Sequence, residues 1–63
     1  MTTTIDTQTM AAKGERIADL IGQRAHTIHG DGVIEEIRYN LYPVVRLDVS
    51  GKIYRCDSRV ELV

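Results

Sequence analysis

Apolar positions along the chain follow two periods, a short helical one and a repeated alternation of two. Ile17, Leu20 and Ile21 stand at the i, i+3, i+4 spacing that gathers side chains on one helical face, with Glu15, Arg16 and Asp19 turned away. The spacing predicts a helix over about 13–21, ended by Gly22. A helix of about two to three turns does not persist alone in water, so its apolar face is expected to close the end of a barrel or to meet another copy of the chain. After Gly22 the texture becomes that of strands. Arg24–His29, Gly32–Tyr39, Val44–Val49, Lys52–Cys56 and Val60–Val63 are rich in β-branched and tyrosyl residues and are bounded by Gly, Asn, Pro, Asp or Ser. In the second run Val33, Glu35, Ile37 and Tyr39 share one face, and Ile34, Glu36 and Arg38 the other. In the third, Val45, Leu47 and Val49 are the expected inward face, opposite Val44, Arg46 and Asp48.

The breaks between runs have turn chemistry. His29-Gly30-Asp31-Gly32 is expected to turn through positive φ at both glycines, Ser50-Gly51 to make a two-residue hairpin connection, and Asn40 to Pro43 to form a looser loop. Asp57-Ser58-Arg59 is short and polar, suited to a single helical turn before the last strand. Five short antiparallel strands in so little chain predict a mainly β fold, a small five-stranded SH3-like barrel, rather than a two-sheet sandwich. The first ten residues, MTTTIDTQTM, hold five Thr and only isolated apolar side chains. They are expected to be a flexible tail over 1–10, leaving 11–63 as the barrel domain with its N-terminal helix.

Composition narrows the picture. With 63 residues, 43% hydrophobic, no Phe and no Trp, the chain has material for one thin core. A domain of this size buries only about 60% of the surface its unfolded chain exposes, so a partner or a homo-oligomer is expected to share the burden of stability. Eight Lys/Arg against nine Asp/Glu give a net charge of -1, which does not fit a protein held mainly by phosphate contacts. Cys56 is the only cysteine and has no mate for an intrachain disulfide. No charged-then-apolar leader pattern and no apolar run of about 18 residues is seen, so a cytoplasmic location without membrane contact is expected.

Candidate chemistry is sparse. His26 and His29 lie three apart on a strand and turn, with no third ligand in reach, and no metal site is expected. Cys56 ends an apolar run and reads as a small buried hydrophobe. Glu35 and Glu36 are adjacent on a strand and point to opposite faces, so they do not form an acid/base dyad. Gly30-Asp31-Gly32 has no helix N-terminus after it and is a turn rather than a phosphate loop. No Ser-His-Asp order or nucleophile elbow is present, and no catalytic residues or cofactors are assigned. The residues that suit recognition are Arg38, Tyr39, Tyr42, Arg46 and Tyr54, because Tyr and Arg dominate the energetic centres of interfaces. The same residue types stack on bases, and the tyrosines are equally able to fill a core that lacks Phe and Trp.

Gly22-Gln23-Arg24 followed by His29-Gly30-Asp31-Gly32-Val33-Ile34-Glu35-Glu36-Ile37 resembles the opening of SH3/Tudor-like modules of transcription and translation. It looks most like the RNA-polymerase-interacting domain of CarD-type regulators and transcription-repair coupling factors, and more loosely like KOW modules. Tyr42-Pro43-Val44-Val45-Arg46-Leu47-Asp48, Gly51-Lys52, Tyr54 and Val60-Glu61-Leu62 are similar to the later strands of such barrels, including those of short bacteriophage and plasmid proteins. The resemblance covers about residues 22–63 and implies a protein-docking module whose partner is RNA polymerase or another nucleic-acid enzyme. The helical DNA-binding domain that follows in a full CarD-type protein has no counterpart in this sequence. Direct nucleic-acid binding by the same surface is the alternative. A second resemblance, to type II dihydrofolate reductases, rests on Lys52-Ile53-Tyr54, where that family has Gln in place of Lys52. It implies a homotetrameric oxidoreductase using a nicotinamide cofactor.

Overall fold

A computed structural model describes residues 3–63. Six strands, β1 (Thr3–Asp6), β2 (Arg24–Thr27), β3 (Gly30–Arg38), β4 (Tyr42–Leu47), β5 (Ile53–Arg55) and β6 (Arg59–Leu62), form one antiparallel sheet in the order β1-β6-β2-β3-β4-β5. Helix α1 (Thr7–Ala12) and a single 3₁₀ turn at Ile17–Leu20 lie between β1 and β2. The five strands expected after Gly22 are all present, each with shifted ends, and the fold is mainly β. Ile34, Val45, Val60, Ala25, Leu20 and Cys56 make the buried core. Ile5, Met10, Ile37, Tyr54 and Leu62 pack against it, so every strand contributes to one cluster.

The N-terminal segment departs from expectation. Residues 3–10, expected to be a flexible tail, form β1 and the first part of α1; residues 1–2 lie outside the described part. Thr3 to Asp6 pair with Leu62 to Arg59, a partner more than fifty positions away that no local pattern announces. Asp6 then caps α1, its side chain accepting from the Gln8 N–H at 2.9 Å, which satisfies one of the helix's unpaired first-turn donors. The helix expected over 13–21 is absent. Gly14, at φ 75°, ends α1 early, and only Ile17–Leu20 coils, tightly enough to carry Leu20 into the core at 4% exposure. Of the stripe that suggested a helix, Leu20 is buried and Ile17 packs against the core, while Ile21 lies past the turn and is exposed.

Within the sheet, strict alternation fails at one place. Ile34 pairs with Val45 and Glu36 with Val44, so Glu35 is an extra residue in β3. One inserted residue reverses the faces of everything beyond it. Ile34 therefore points into the core before the bulge and Ile37 after it, although the sequence places them on opposite faces. In β4, Val45 and Leu47 face inward as expected. Val49 lies past the strand's end in the β4–β5 loop and is fully exposed, while Val44, expected outside, is buried between its cross-strand partners Glu36 and Arg55.

The turns are tighter than the sequence suggests. Tyr39 and Asn40 both have φ 56°, and the Leu41 N–H donates to the Arg38 carbonyl at 3.1 Å. This is a two-residue turn of the primed type that suits hairpin twist, where a loose loop over Asn40 to Pro43 was expected. The Ser50-Gly51 connection is longer than expected, spanning Asp48 to Gly51 with Gly51 at φ 72° and donating to the Leu47 carbonyl. Of the two glycines flanking Asp31, only Gly30 has positive φ. Gly32 is required for space: a Cβ there would run into the Arg46 carbonyl and lie 2.6 Å from Val45 Cγ1. No helical turn forms at Asp57-Ser58-Arg59; the chain bends at Ser58 and enters β6.

Thr7 joins the pieces. It is completely buried, its N–H donates to the Ser58 carbonyl at 2.8 Å, and its hydroxyl lies 2.6 Å from the Leu41 carbonyl and 3.1 Å from that of Ser58. Thr7→Ala should cost about 1–3 kcal/mol in chemical denaturation, because the Leu41 carbonyl loses its donor, whereas Thr7→Ser should recover most of the loss. Gly32→Ala should destabilise by about 1–3 kcal/mol, as strands β3 and β4 must separate to admit the methyl group.

Candidate functional site

β3, β4 and β5 present an outward face on which cross-strand register sets the neighbours. Arg38 is opposite Tyr42, Val44 is flanked by Glu36 and Arg55, and Arg46 is flanked by Val33 and Ile53. At the hairpin tip the Tyr39 and Tyr42 rings meet edge to face, 6.3 Å between centroids. The Arg55 guanidinium lies 4.9 Å from the centre of the Tyr42 ring, within the range of a cation–π contact. Arg38 Nε donates to Glu36 at 3.1 Å, leaving the rest of its guanidinium half-exposed beside Tyr42.

The five residues singled out in the sequence are thus only partly together. Arg38, Tyr39 and Tyr42 form one cluster. Arg46 is on the same face but is occupied: Nε and Nη2 donate to Glu35 at 2.7 and 3.0 Å, and Nη1 donates to the Gly51 carbonyl at 2.7 Å. Its role here is to hold the β4–β5 loop against the bulge. Tyr54 turns the other way, half-buried on the core, with its ring edge-on to His29 at 4.8 Å. The residue that sequence reading passed over is Arg55. Its position over Tyr42 follows from the pairing of β5 with β4, and no local spacing carries that information.

A second region lies beside Tyr54, where an open cleft of about 400 Å³ is lined by His26, Ile28, Tyr54, Arg59 and Glu61, among others. Three of its lining residues, Thr4, Glu61 and His26, are successive cross-strand partners, and the row continues beyond the cleft to Asp31 on a fourth strand. The His26 ring nitrogen Nδ1 is 2.6 Å from Asp31 Oδ1, and this hydrogen bond holds the imidazolium above the usual histidine range, with Glu61 adding a smaller push in the same direction. Burial pushes the Cys56 thiol up, with Asp57 adding to it, so the thiolate a nucleophile needs is disfavoured. Among the described residues no three His, Cys, Asp or Glu side chains gather as a metal site would require, and no helix is long and apolar enough to cross a membrane. Lys52-Ile53-Tyr54, the segment similar to the reductase motif, forms the exposed loop end and start of edge strand β5. No protein family, curated protein or solved structure matches the chain.

The His26–Asp31 contact makes stability depend on pH. A folded-state value raised above the unfolded one contributes stability that is complete below the unfolded value, near 6.5, and is lost as pH rises through the folded one. The melting temperature of the native chain should therefore exceed that of Asp31→Asn by more at about pH 5.5 than at about pH 8.5. Equal differences at the two values would show that His26 does not sense Asp31.

Proposed function

We propose that the chain is a non-catalytic SH3/Tudor-like interaction module acting in the cytoplasm, an accessory regulator that docks on nucleic-acid-processing machinery through the tip and outer face of the β3–β4 hairpin. RNA polymerase is the first partner to test. The observation that supports this reading is Tyr39. Its ring is 79% exposed and its backbone has φ 56°, a conformation that costs a bulky residue about 1–2 kcal/mol. Folding gains little from that ring, and a turn of this type is better served by Asn or Gly. A tyrosine retained at such a position suits a surface that is read by something else.

The surroundings have the chemistry of a binding hot spot. Tyr42 is half-buried beneath Arg55 and braced by Tyr39, so its ring is ordered before any partner arrives. Arg38 and Glu36 place opposite charges side by side, a pattern that favours a polar protein surface over an unbroken line of phosphates.

Binding of the purified chain to bacterial RNA polymerase core enzyme tests the proposal. The double variant Tyr39→Asn with Arg55→Ser should bind at least about tenfold more weakly, as expected for hot-spot losses above about 1.4 kcal/mol. Tyr39→Asn alone should melt no lower than the native chain, because Asn accepts the left-handed turn. Absence of binding by the native chain, or undiminished binding by the double variant, would refute the proposal. Binding instead to single-stranded DNA, falling steeply with added salt, would reassign the surface to nucleic acid.

A further inference from the structure

We propose that the free edge of β5 receives an extended, acidic segment of a partner protein as a seventh antiparallel strand. The inference deepens the docking reading above and rests on it, since Arg55 belongs to both surfaces. β5 ends the sheet order opposite β1 and pairs only with β4. Its hydrogen-bonding phase is set by two contacts, Leu47 N–H to the Lys52 carbonyl at 2.9 Å and Cys56 N–H to the Pro43 carbonyl at 2.8 Å. Alternation in an antiparallel ladder then turns the main-chain groups of Tyr54 toward β4 and those of Ile53 and Arg55 away from it. Two N–H and two C=O groups are left in a row for an incoming strand.

Side chains select what that strand is. Among the described residues, Lys13, Lys52, Arg55 and Arg59 have no carboxylate within salt-bridge distance, whereas Arg16, Arg24, Arg38 and Arg46 do, and of the four unpaired cations Lys52 and Arg55 lie in or beside β5. These two cations bracket Ile53, which is 49% exposed, and the positive stretch ends at Asp57. A second copy pairing β5 to β5 would bring four such cations together with no acid between them, the arrangement by which edge strands resist self-association. Nucleic acid would match the cations but has no use for alternating main-chain donors and acceptors or for Ile53. Lys52 and Arg55 alternate onto opposite faces of β5, so a polypeptide with an apolar side chain opposite Ile53 and acidic side chains opposite the two cations matches all three features.

The test uses the full chain and a fluorescent synthetic peptide of repeated Glu-Glu-Val, which sets Glu opposite Arg55 and Lys52 and Val opposite Ile53, with a repeated Lys-Lys-Val peptide as control. Binding should be seen for the acidic peptide and be at least about tenfold weaker for the basic one. On binding, the amide protons of Ile53 and Arg55 should gain protection from hydrogen exchange while that of Tyr54 is unchanged. Ile53→Pro removes an outward-facing N–H together with the Ile53 side chain, a change an edge strand tolerates, so it should keep the native fold and weaken peptide binding at least about tenfold. Equal binding of both peptides, unchanged exchange at Ile53 and Arg55, or native-like binding by folded Ile53→Pro would overturn the strand-addition proposal. Competition by oligothymidylate that leaves those amides unprotected, or self-assembly of the chain that Ile53→Pro abolishes, would overturn it in favour of nucleic acid or another copy. Loss of polymerase binding in Tyr39→Asn with Arg55→Ser, alongside native binding by Ile53→Pro, would leave the docking surface standing and remove the added strand alone.

Discussion

The fold depends on a buried hydroxyl. Thr7 lies where β1 ends and α1 begins, and through its side chain and N–H it reaches Leu41, next to the β3–β4 turn, and Ser58, at the bend before β6. These contacts span 34 and 51 positions of sequence, and they tie the N-terminal strand to both the far hairpin and the last strand. A core built from Ile34, Val45, Val60, Leu20, Ala25 and Cys56, with no Phe or Trp, has little apolar area to hold such distant parts in place. Directional bonds in a site shielded from water substitute for some of that area, since a buried carbonyl without a donor is costly.

How much of this could be read from the chain follows from the range of each interaction. Strand existence after Gly22 was legible because β-branched alternation and turn residues are local. So was the inward placement of Val45 and Leu47. The bulge at Glu35 was not, because an inserted residue looks like any other until a partner strand shows which positions it opposes; Ile34 and Ile37 could not both be assigned inward without it. The N-terminal strand was hidden for a similar reason: Thr3-Thr4-Ile5-Asp6 has strand propensity but almost no apolar pattern, and its order comes from β6. At the candidate site, the residue types were legible and their grouping was not. Tyr42 and Arg38 meet through a hairpin, Arg55 joins them through a third strand, and Arg46 is withdrawn by Glu35 and Gly51, all consequences of register.

Electrostatic pairing divides the surface into structural and available parts. Arg24 with Asp48, Arg46 with Glu35 and His26 with Asp31 link neighbouring strands or loops at half-exposed positions, where solvent screens each pair, but together they restrict how the hairpins move relative to one another. Arg55 and Lys52 stand apart from that network. With Tyr39 in the β3–β4 turn nearby, the hairpin tip and β5 carry unpaired charge, an exposed ring and open main chain beside the ion pairs that brace the same face.

The pairing of Thr3 with Leu62 brings the entry and exit of the folded chain side by side, about 4.5–5.5 Å apart as neighbouring strands require. A unit with adjoining ends can be grafted into a surface loop of a larger protein with little stretching of the host backbone, or appended by either end. β1 and β6 would then serve as the stalk of such a graft, leaving the β3–β4 tip and the edge of β5 projecting into solvent.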